Sequence, residues 1–274
     1  MLVVINRLKL LLTVHRELLF HLALKNLKIQ YKYAILGFLW AFFVPLCMAM
    51  VFWVIFTFLF SRPEPPLSIV TALFVWQFVN GSIVGSTTSI VDNQGILKKV
   101  YVPREIIPLS MVLSNLINFL LSLVVLVPLI FFYNLFTGHL PLLPFWILLL
   151  PFIIMLTVLL AAGLALLTSC LQVFFRDVRY IVEITLLVWF YFSGVFYSVD
   201  LVADKGIPWL TRLFMLNPLI DLFTMYRIVL LNLDVTEYCS TPILVLQTLG
   251  ISLVIFFFSY RLFISKEHEM VDLI

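Results

Sequence analysis

The residues that most often carry enzyme chemistry are few and scattered in this sequence. No H-E-x-x-H or G-x-S-x-G motif occurs, and no G-x-x-x-x-G-K-[ST] sequence offers a P-loop for nucleotide phosphates. The four histidines lie far apart, at His15, His21, His139 and His268. The three cysteines form no C-x-x-C pair and stand at Cys47, Cys170 and Cys239. We therefore predict no catalytic residue, no metal site and no enzyme activity of the chain by itself.

A short charged turn between two long apolar stretches is the strongest candidate for contact with another protein. Phe175, Arg176 and Asp177 combine an aromatic side chain with both signs of charge, and aromatic and arginine anchors commonly carry protein interfaces. The polar segment 92–105 is a second candidate. The alternative is that the arginines only fix membrane topology. The candidate coupling residues are Phe175, Arg176, Asp177, Arg179, Lys98, Lys99, Tyr101 and Arg104.

Aromatic side chains are concentrated in two apolar stretches, residues 34–60 and 180–199. Sugar rings stack on aromatic faces, so these side chains could line a path for a glycan. The alternative is ordinary packing of aromatic residues and their enrichment at membrane interfaces. The candidate channel-lining residues are Trp40, Phe43, Phe52, Trp53, Phe56, Trp189, Tyr191, Phe192, Phe196 and Tyr197.

The elements that would position these residues follow from composition. The 274 residues are 64% hydrophobic and only 11% charged. A soluble domain has about 45–50% apolar and about 25% charged residues. The fold class predicted is therefore an all-α integral membrane protein, with no sizeable soluble domain.

Apolar runs of membrane-spanning length recur along the chain. The run 34–60 contains no charge and would extend about 40 Å as a helix, enough to cross a hydrocarbon core of about 30 Å. We predict one domain over residues 34–263 that contains six transmembrane helices. These are placed at residues 34–60, 67–91, 106–136, 143–174, 180–199 and 241–263.

The region 207–232 is apolar but too interrupted for a simple span. Proline at Asn217-Pro218 breaks the helix and leaves about 20 Å of helix after it. We predict short re-entrant helices between spans five and six, near an outer mouth that contains Asn217, Pro218, Asp221 and Arg227. Asp221 and Arg227 are expected to face a wet cavity or each other.

The N-terminal segment 1–33 and the tail 264–274 are predicted to be cytoplasmic. His21, Lys25, Lys28 and Lys32 share one face of a helix opposite apolar residues, which is typical of an amphipathic interface helix. With these ends, the segment 92–105 and the turn at 175–179 inside, 13 of the 17 lysines and arginines lie on the cytoplasmic side. This bias requires an even number of spans.

Four landmarks occur together and in order. They are Y-x-x-L-G-x-x-W-A-x-x-x-P at 33–45, K-K-V-Y-V-P-R-E-I-I-P at 98–108, F-F-R-D-V-R-Y at 174–180 and L-N-P at 216–218. In this set the chain resembles, over about residues 16–264, the permease subunit of type-2 ABC exporters of polysaccharides such as O-antigen, capsule and teichoic acid.

The resemblance implies a multi-pass protein of the cytoplasmic (inner) membrane, paired with a second copy of itself and with two ABC ATPase subunits. It implies a channel lined by spans one and five, coupling through 174–179 and 94–104, and export of a lipid-linked glycan. ATP and Mg would bind the partner subunit, with no cofactor on this chain; membrane lipids surround it and no nucleic acid is expected. The alternatives are a type-2 exporter of a drug, lipid or small metabolite, and a non-transporting scaffold or intramembrane enzyme.

Overall fold

The computed structural model describes residues 7, 13–59, 66–98, 102–136, 148–197, 208–231 and 241–273. Within these ranges the chain is helical and no strand occurs, as the composition predicts. The helices are α1 (Arg16–Tyr31), α2 (Leu39–Leu59), α3 (Pro66–Asp92), α4 (Gln94–Leu97), α5 (Ile106–Phe136), α6 (Leu150–Phe174), α7 (Val178–Phe192), α8 (Pro208–Met215), α9 (Pro218–Leu231) and α10 (Thr241–Leu273).

Four of the described helices are long and apolar enough to cross a membrane: Leu67–Asp92, Ile106–Phe132, Leu150–Phe174 and Ile243–Met270. A fifth apolar helix, Leu39–Ile55, is shorter. The prediction of six spans therefore rests on the two shorter helices α2 and α7 in addition to these four. The re-entrant character of 207–232 likewise stays a prediction.

Helix α3 lies at the centre of the helix bundle. Over an apolar stretch of 18 residues in its span 78% of the residues are buried, whereas the corresponding share is 33% for α5 and for α10. It packs against α5, α6 and α2, and α6 packs along α10. Small residues allow these approaches: a Cβ on Gly163 would lie 2.9 Å from the Phe256 Cα atom. The α6–α10 contact therefore depends on a glycine, in keeping with the packing of membrane helices through small residues.

Helices α2 and α7 lie at the periphery and are shorter than the spans predicted there. Residues 34–38 form turns, with Gly37 at φ 51°, so α2 begins only at Leu39. Helix α7 ends at Phe192, which gives 15 residues or about 22 Å of helix. The chain then turns through Ser193–Tyr197, where Gly194 adopts φ 66°. The predicted span 180–199 is thus replaced by a shorter helix and a turn, because a left-handed glycine interrupts the helix.

The last helix is longer than the predicted span 241–263. Helix α10 runs from Thr241 to Leu273, about 50 Å, and takes in most of the segment 264–274 that was predicted to be a separate tail. Ion pairs within the helix support this extension, since Lys266 Nζ lies 2.7 Å from Glu269 Oε1, three residues away.

Candidate functional site

The predicted coupling turn is an exposed corner between α6 and α7. We call residues 175–177 the α6–α7 turn. Helix α6 ends at Phe174, and Phe175 takes an extended conformation with its N–H bonded to the Leu171 carbonyl at 2.9 Å. Phe175 is 64% exposed, and Arg176 and Asp177 are also exposed. An aromatic ring that is presented to solvent beside two charges is suited to a partner protein.

A buried glutamine that the sequence analysis did not single out holds this turn. Gln172 donates from Nε2 to the Arg176 carbonyl at 3.1 Å and accepts the Arg179 N–H at Oε1 at 2.7 Å. Arg179 is the second residue of α7, so its N–H has no partner within the helix. Asp177, at the N-cap position, makes no capping hydrogen bond with its side chain. Gln172 therefore caps α7 from the preceding helix and fixes the angle of the turn.

The side chain of Arg179 stays on the surface of α7. It lies 4.0 Å from Glu183, the ion pair that the i, i+4 spacing indicates, and its guanidinium stacks 4.8 Å above the ring of Tyr180. Its side chain is about half exposed. Arg179 thus contributes positive charge next to the α6–α7 turn.

The second predicted contact, the segment 92–105, divides into different environments. Lys98 is exposed just after the short helix α4. Arg104 is half-buried and donates from a guanidinium nitrogen to the Glu267 carbonyl at 2.6 Å. Lys99 and Tyr101 lie outside the described residues. Arg104 therefore ties the segment to α10, a structural contact that its predicted coupling role did not include.

Glu105 is buried at the centre of a charged cluster that joins three parts of the chain. Arg7 lies 2.6 Å from the Glu267 carboxylate and 3.8 Å from that of Glu105. The Tyr260 hydroxyl lies 3.5 Å from Glu105 Oε1. Burial raises the pKa of Glu105, because desolvation disfavours the carboxylate more than Arg7 stabilises it. This cluster was not predictable from local sequence patterns, since its members are separated by up to 260 positions.

These contacts bring four polar segments to one end of the bundle. Arg7 and Arg104 both reach Glu267, and the Lys266 ammonium lies 5.9 Å above the ring of Phe174. Arg7, Arg104, the α6–α7 turn and the end of α10 therefore share this end. They belong to the segments that the charge bias predicts to be cytoplasmic.

The predicted interface helix is α1, and its cationic face is exposed. His21, Lys25, Lys28 and Lys32 are all accessible, which fits a face turned to water or lipid headgroups.

The opposite side of α1 docks on α5 through amide side chains. Asn26 Nδ2 donates to Ser110 Oγ at 3.1 Å, and Asn118 Nδ2 donates to Gln30 Oε1 at 3.1 Å. Helical periodicity does not reveal these polar contacts, because both amides lie opposite the cationic face, among the apolar residues of the helix.

Several predicted channel residues project from the bundle. Trp40, Phe43 and Trp53 are exposed on α2, and Tyr191 and Phe192 are exposed on α7. Exposed apolar side chains on a membrane helix face lipid, another protein or a channel. The Phe56 side chain lies outside the described part of the chain.

Other predicted channel residues pack inside the protomer. The ring centroids of Phe52 and Phe196 are 3.7 Å apart, and Phe196 is only 3% exposed. Trp189 is half-buried, and Tyr197 donates from its hydroxyl to the Tyr191 carbonyl at 2.7 Å. These residues bring α2 into contact with the turn after α7, so Phe196 belongs to the core.

Asn217 organises the start of α9 and the end of α7. Its Oδ1 accepts the Leu219 N–H at 3.1 Å and the Trp189 indole N–H at 3.0 Å, while Nδ2 donates to the Phe192 carbonyl at 3.2 Å. With Pro218 as the first helical residue, Asn217 is the N-cap of α9. The Asn-Pro pair therefore starts a helix as well as breaking one.

The two buried charges of α9 engage different groups. Arg227 donates to the carbonyls of Gly194 at 3.0 Å and Val195 at 2.8 Å. Asp221 accepts the Thr248 hydroxyl at 3.1 Å, on α10. Both residues are at least nine-tenths buried. Arg227 thus holds the turn after α7, and Asp221 holds α9 against α10.

Among the described residues, no group of three or more histidine, cysteine or acidic side chains is placed to hold a metal ion.

Comparison with known families gives the class of this protein. Residues 17–231 match the family model of the ABC-2 type transporter, so the chain belongs to that family of membrane permeases. The matched range includes α1, the α6–α7 turn and α9, the elements that carry the candidate site.

Characterised relatives are similar over most of their length. The O-antigen export system permease protein RfbA of Myxococcus xanthus is 30% identical over 260 residues, which cover 94% of this chain and 95% of that protein. Two proteins of the same name from Klebsiella pneumoniae are 31% and 32% identical over 218 residues, 79% of this chain and 81% of each.

Proposed function

We propose that this chain is the permease subunit of an ATP-driven exporter that moves a lipid-linked polysaccharide outward across the cytoplasmic membrane. The observation that carries the proposal is the similarity to O-antigen export permeases over nearly the whole of both chains. The same similarity favours a glycan over a drug or small metabolite as cargo. Two copies of the chain would pair with two separate ATPase subunits, since this sequence has no P-loop.

In this proposal the ATPase acts on the α6–α7 turn. Phe175 would enter a groove of the ATPase, while Arg176 and Asp177 fix its register; Lys98 would add a contact beside it. The exposure of these residues supports this role, and so does the rigid attachment of the turn through Gln172. A stiff turn between two helices transmits a displacement because neither helix can bend to absorb it.

The glycan would pass between the two permease copies. The exposed rings of α2 and α7 would line this path, with Trp40, Phe43 and Trp53 on one helix and Tyr191 and Phe192 on the other. Stacking of sugar C–H faces on aromatic rings tolerates many glycans, so the polymer could slide without a fixed binding register.

The export proposal is tested by deleting the gene and following the glycan. Lipid-linked polymer should accumulate inside the cell and disappear from the surface, and wild-type protein should restore surface glycan. Normal surface glycan in the deletion strain would refute polysaccharide export. Failure of an ABC ATPase to purify with the permease in mild detergent would refute the two-subunit arrangement.

The coupling surface is tested separately. Alanine at both Arg176 and Asp177 should lower permease-stimulated ATPase activity while the complex still assembles. Arg212 offers a matched control, because it is an exposed arginine on α8 at the other end of the bundle. Gln247, which contacts the Met215 carbonyl of α8, is 19 residues or about 28 Å along α10 from Lys266. Arg212→Ala should leave stimulation unchanged; equal effects of both changes would refute the assignment.

A further inference from the structure

A small polar cavity lies between α1, α2, α3 and α5. Its volume is about 30 Å³. Six of the residues that line it are polar and none of them is charged: Gln30, Tyr31, Gln77, Asn115, Asn118 and Ser122. The remaining lining is apolar and includes Phe78 and Phe119.

Two buried polar atoms beside this cavity lack a protein partner. The Tyr31 hydroxyl and Asn118 Oδ1 are both inaccessible, and no described residue hydrogen-bonds to either. Asn118 is 8% exposed, and its other amide atom is already used by Gln30. An unsatisfied buried polar atom destabilises the folded state, so two of them at one cavity indicate a ligand that supplies the missing hydrogen bonds.

We propose that this cavity binds a neutral hydroxyl group that hydrogen-bonds to Tyr31 and Asn118. Asn118 Oδ1 can only accept, so the ligand must donate, and a hydroxyl does so. The lining offers no charge to bind a phosphate or an ammonium group. A water needs about 10–15 Å³ of such space, so the volume fits about two waters or one hydroxyl arm of a lipid headgroup, and is too small for a sugar ring.

The bound hydroxyl would mediate part of the contact between α1 and α5. The direct hydrogen bonds from Asn26 to Ser110 and from Asn118 to Gln30 hold α1 to α5 on one side, and the bound hydroxyl completes the contact at Tyr31. A hydrogen bond through an exchangeable molecule reforms readily after a small displacement. The bound hydroxyl therefore lets the contact at Tyr31 adjust without leaving the Tyr31 hydroxyl unpaired.

Radiolytic labelling tests the site, because X-ray pulses turn bound water into hydroxyl radicals that modify the nearest side chains. The full-length permease, in the complex in which it purifies, is labelled in nanodiscs of phosphatidylcholine and in nanodiscs that also contain phosphatidylglycerol, whose headgroup is a diol. Phe78 and Phe119 are 2% and 3% exposed, and Phe223 is 0% exposed and does not line the cavity. All three would be labelled slowly if only exposure mattered.

We expect Phe78 and Phe119 to be modified several-fold faster than Phe223. Equal rates in the two lipid mixtures identify water as the ligand, and slower labelling with phosphatidylglycerol identifies the lipid hydroxyl. Labelling as slow as that of Phe223 in both mixtures overturns the proposal.

A pair of glycines on α3 provides matched variants. A Cβ at Gly81 would lie 2.7 Å from Asn115 Oδ1, so Gly81→Ala must displace this amide, which lines the cavity. A Cβ at Gly85 would meet Met111 instead, at 3.2 Å. Gly81→Ala should lower the labelling of Phe119 several-fold, and Gly85→Ala should not; unchanged labelling in Gly81→Ala overturns the placement. If Gly81→Ala does not assemble, Tyr31→Phe, which removes only the hydroxyl, carries the same expectation.

Discussion

Replacing Gln172 with leucine should uncouple the permease from its ATPase without unfolding it. The change removes the hydrogen bond to the Arg176 carbonyl and the cap on the Arg179 N–H. A lost helix cap costs about 0.5–2 kcal/mol, and a second hydrogen bond is worth about 0.5–1.5 kcal/mol. The expected loss is therefore about 1–3 kcal/mol, concentrated at the α6–α7 turn.

A loss of this size is small beside the stability of a folded domain, about 5–15 kcal/mol, so the bundle should stay folded. The turn, by contrast, loses both contacts that Gln172 makes with it. Its exposed residues Phe175 and Arg176 would then sample several orientations, and a displacement of the ATPase would move the turn without moving α7.

The assay is the ATPase activity of the purified complex, with thermal unfolding measured on the same sample. We expect Gln172→Leu to lower stimulated activity with only a small change in unfolding temperature. Gln172→Glu keeps the acceptor for Arg179 but loses the donor to Arg176, so its effect should be intermediate. Thr168→Val is the control, because among the described residues the Thr168 hydroxyl donates within its own helix, to the Ala165 carbonyl. Full stimulation in Gln172→Leu would refute the view that a rigid turn carries the coupling.

Three further predictions concern the packing of α6 against α10, the buried Glu105 and the N-cap of α9. Gly163→Leu should destabilise the protein by about 1–3 kcal/mol through overpacking against Phe256, whereas Gly250→Leu, which meets no atom within 4 Å, should not; thermal unfolding in detergent compares them. The raised pKa of Glu105 means that the folded state holds its proton more strongly, so the contribution of Glu105 to stability is fully present below the ordinary pKa of 4.5 and is lost as pH rises through the folded value. Glu105→Gln should flatten this dependence, and a greater loss of stability at neutral than at acidic pH would contradict it. Asn217→Ala should cost about 1 kcal/mol and shift the emission of Trp189, and unchanged emission would argue against their hydrogen bond.

The sequence predicts the helical class and the long helices well, because their signal is local. The predicted third span, residues 106–136, has the bounds of α5, and the predicted second span differs from α3 by one residue at each end. Hydrophobic runs and proline positions suffice for such helices, since lipid offers no competing partner for the backbone. The exposed position of the α6–α7 turn also follows from its charge.

The end of α7, the role of Gln172 and the burial of Phe196 were not predicted, because they depend on contacts between residues distant in sequence. Apolarity continues past Phe192, so the end of α7 there follows from tertiary contacts: the left-handed Gly194, its carbonyl bond to Arg227 and the bond from Asn217 to the Phe192 carbonyl. Gln172 looks like an ordinary polar residue near a helix end until the turn folds back over it. The apolar character of Phe196 was visible in the sequence, but its burial against Phe52 was not.

The contacts at the end of α10 assign different roles to the predicted coupling residues. Arg104 donates to the Glu267 carbonyl, and Arg7 pairs with the Glu267 carboxylate, so both arginines contact the same helix, α10. Helix α10 packs closely against α6 at the contact between Gly163 and Phe256, and the α6–α7 turn directly follows α6. Under the proposed function, a force applied to the turn therefore reaches α10 and the segment 92–105 together with α7. Arg104 then connects the segment 92–105 to α10 and has a structural role. Phe175, Arg176 and Asp177 remain exposed groups that a partner protein can contact.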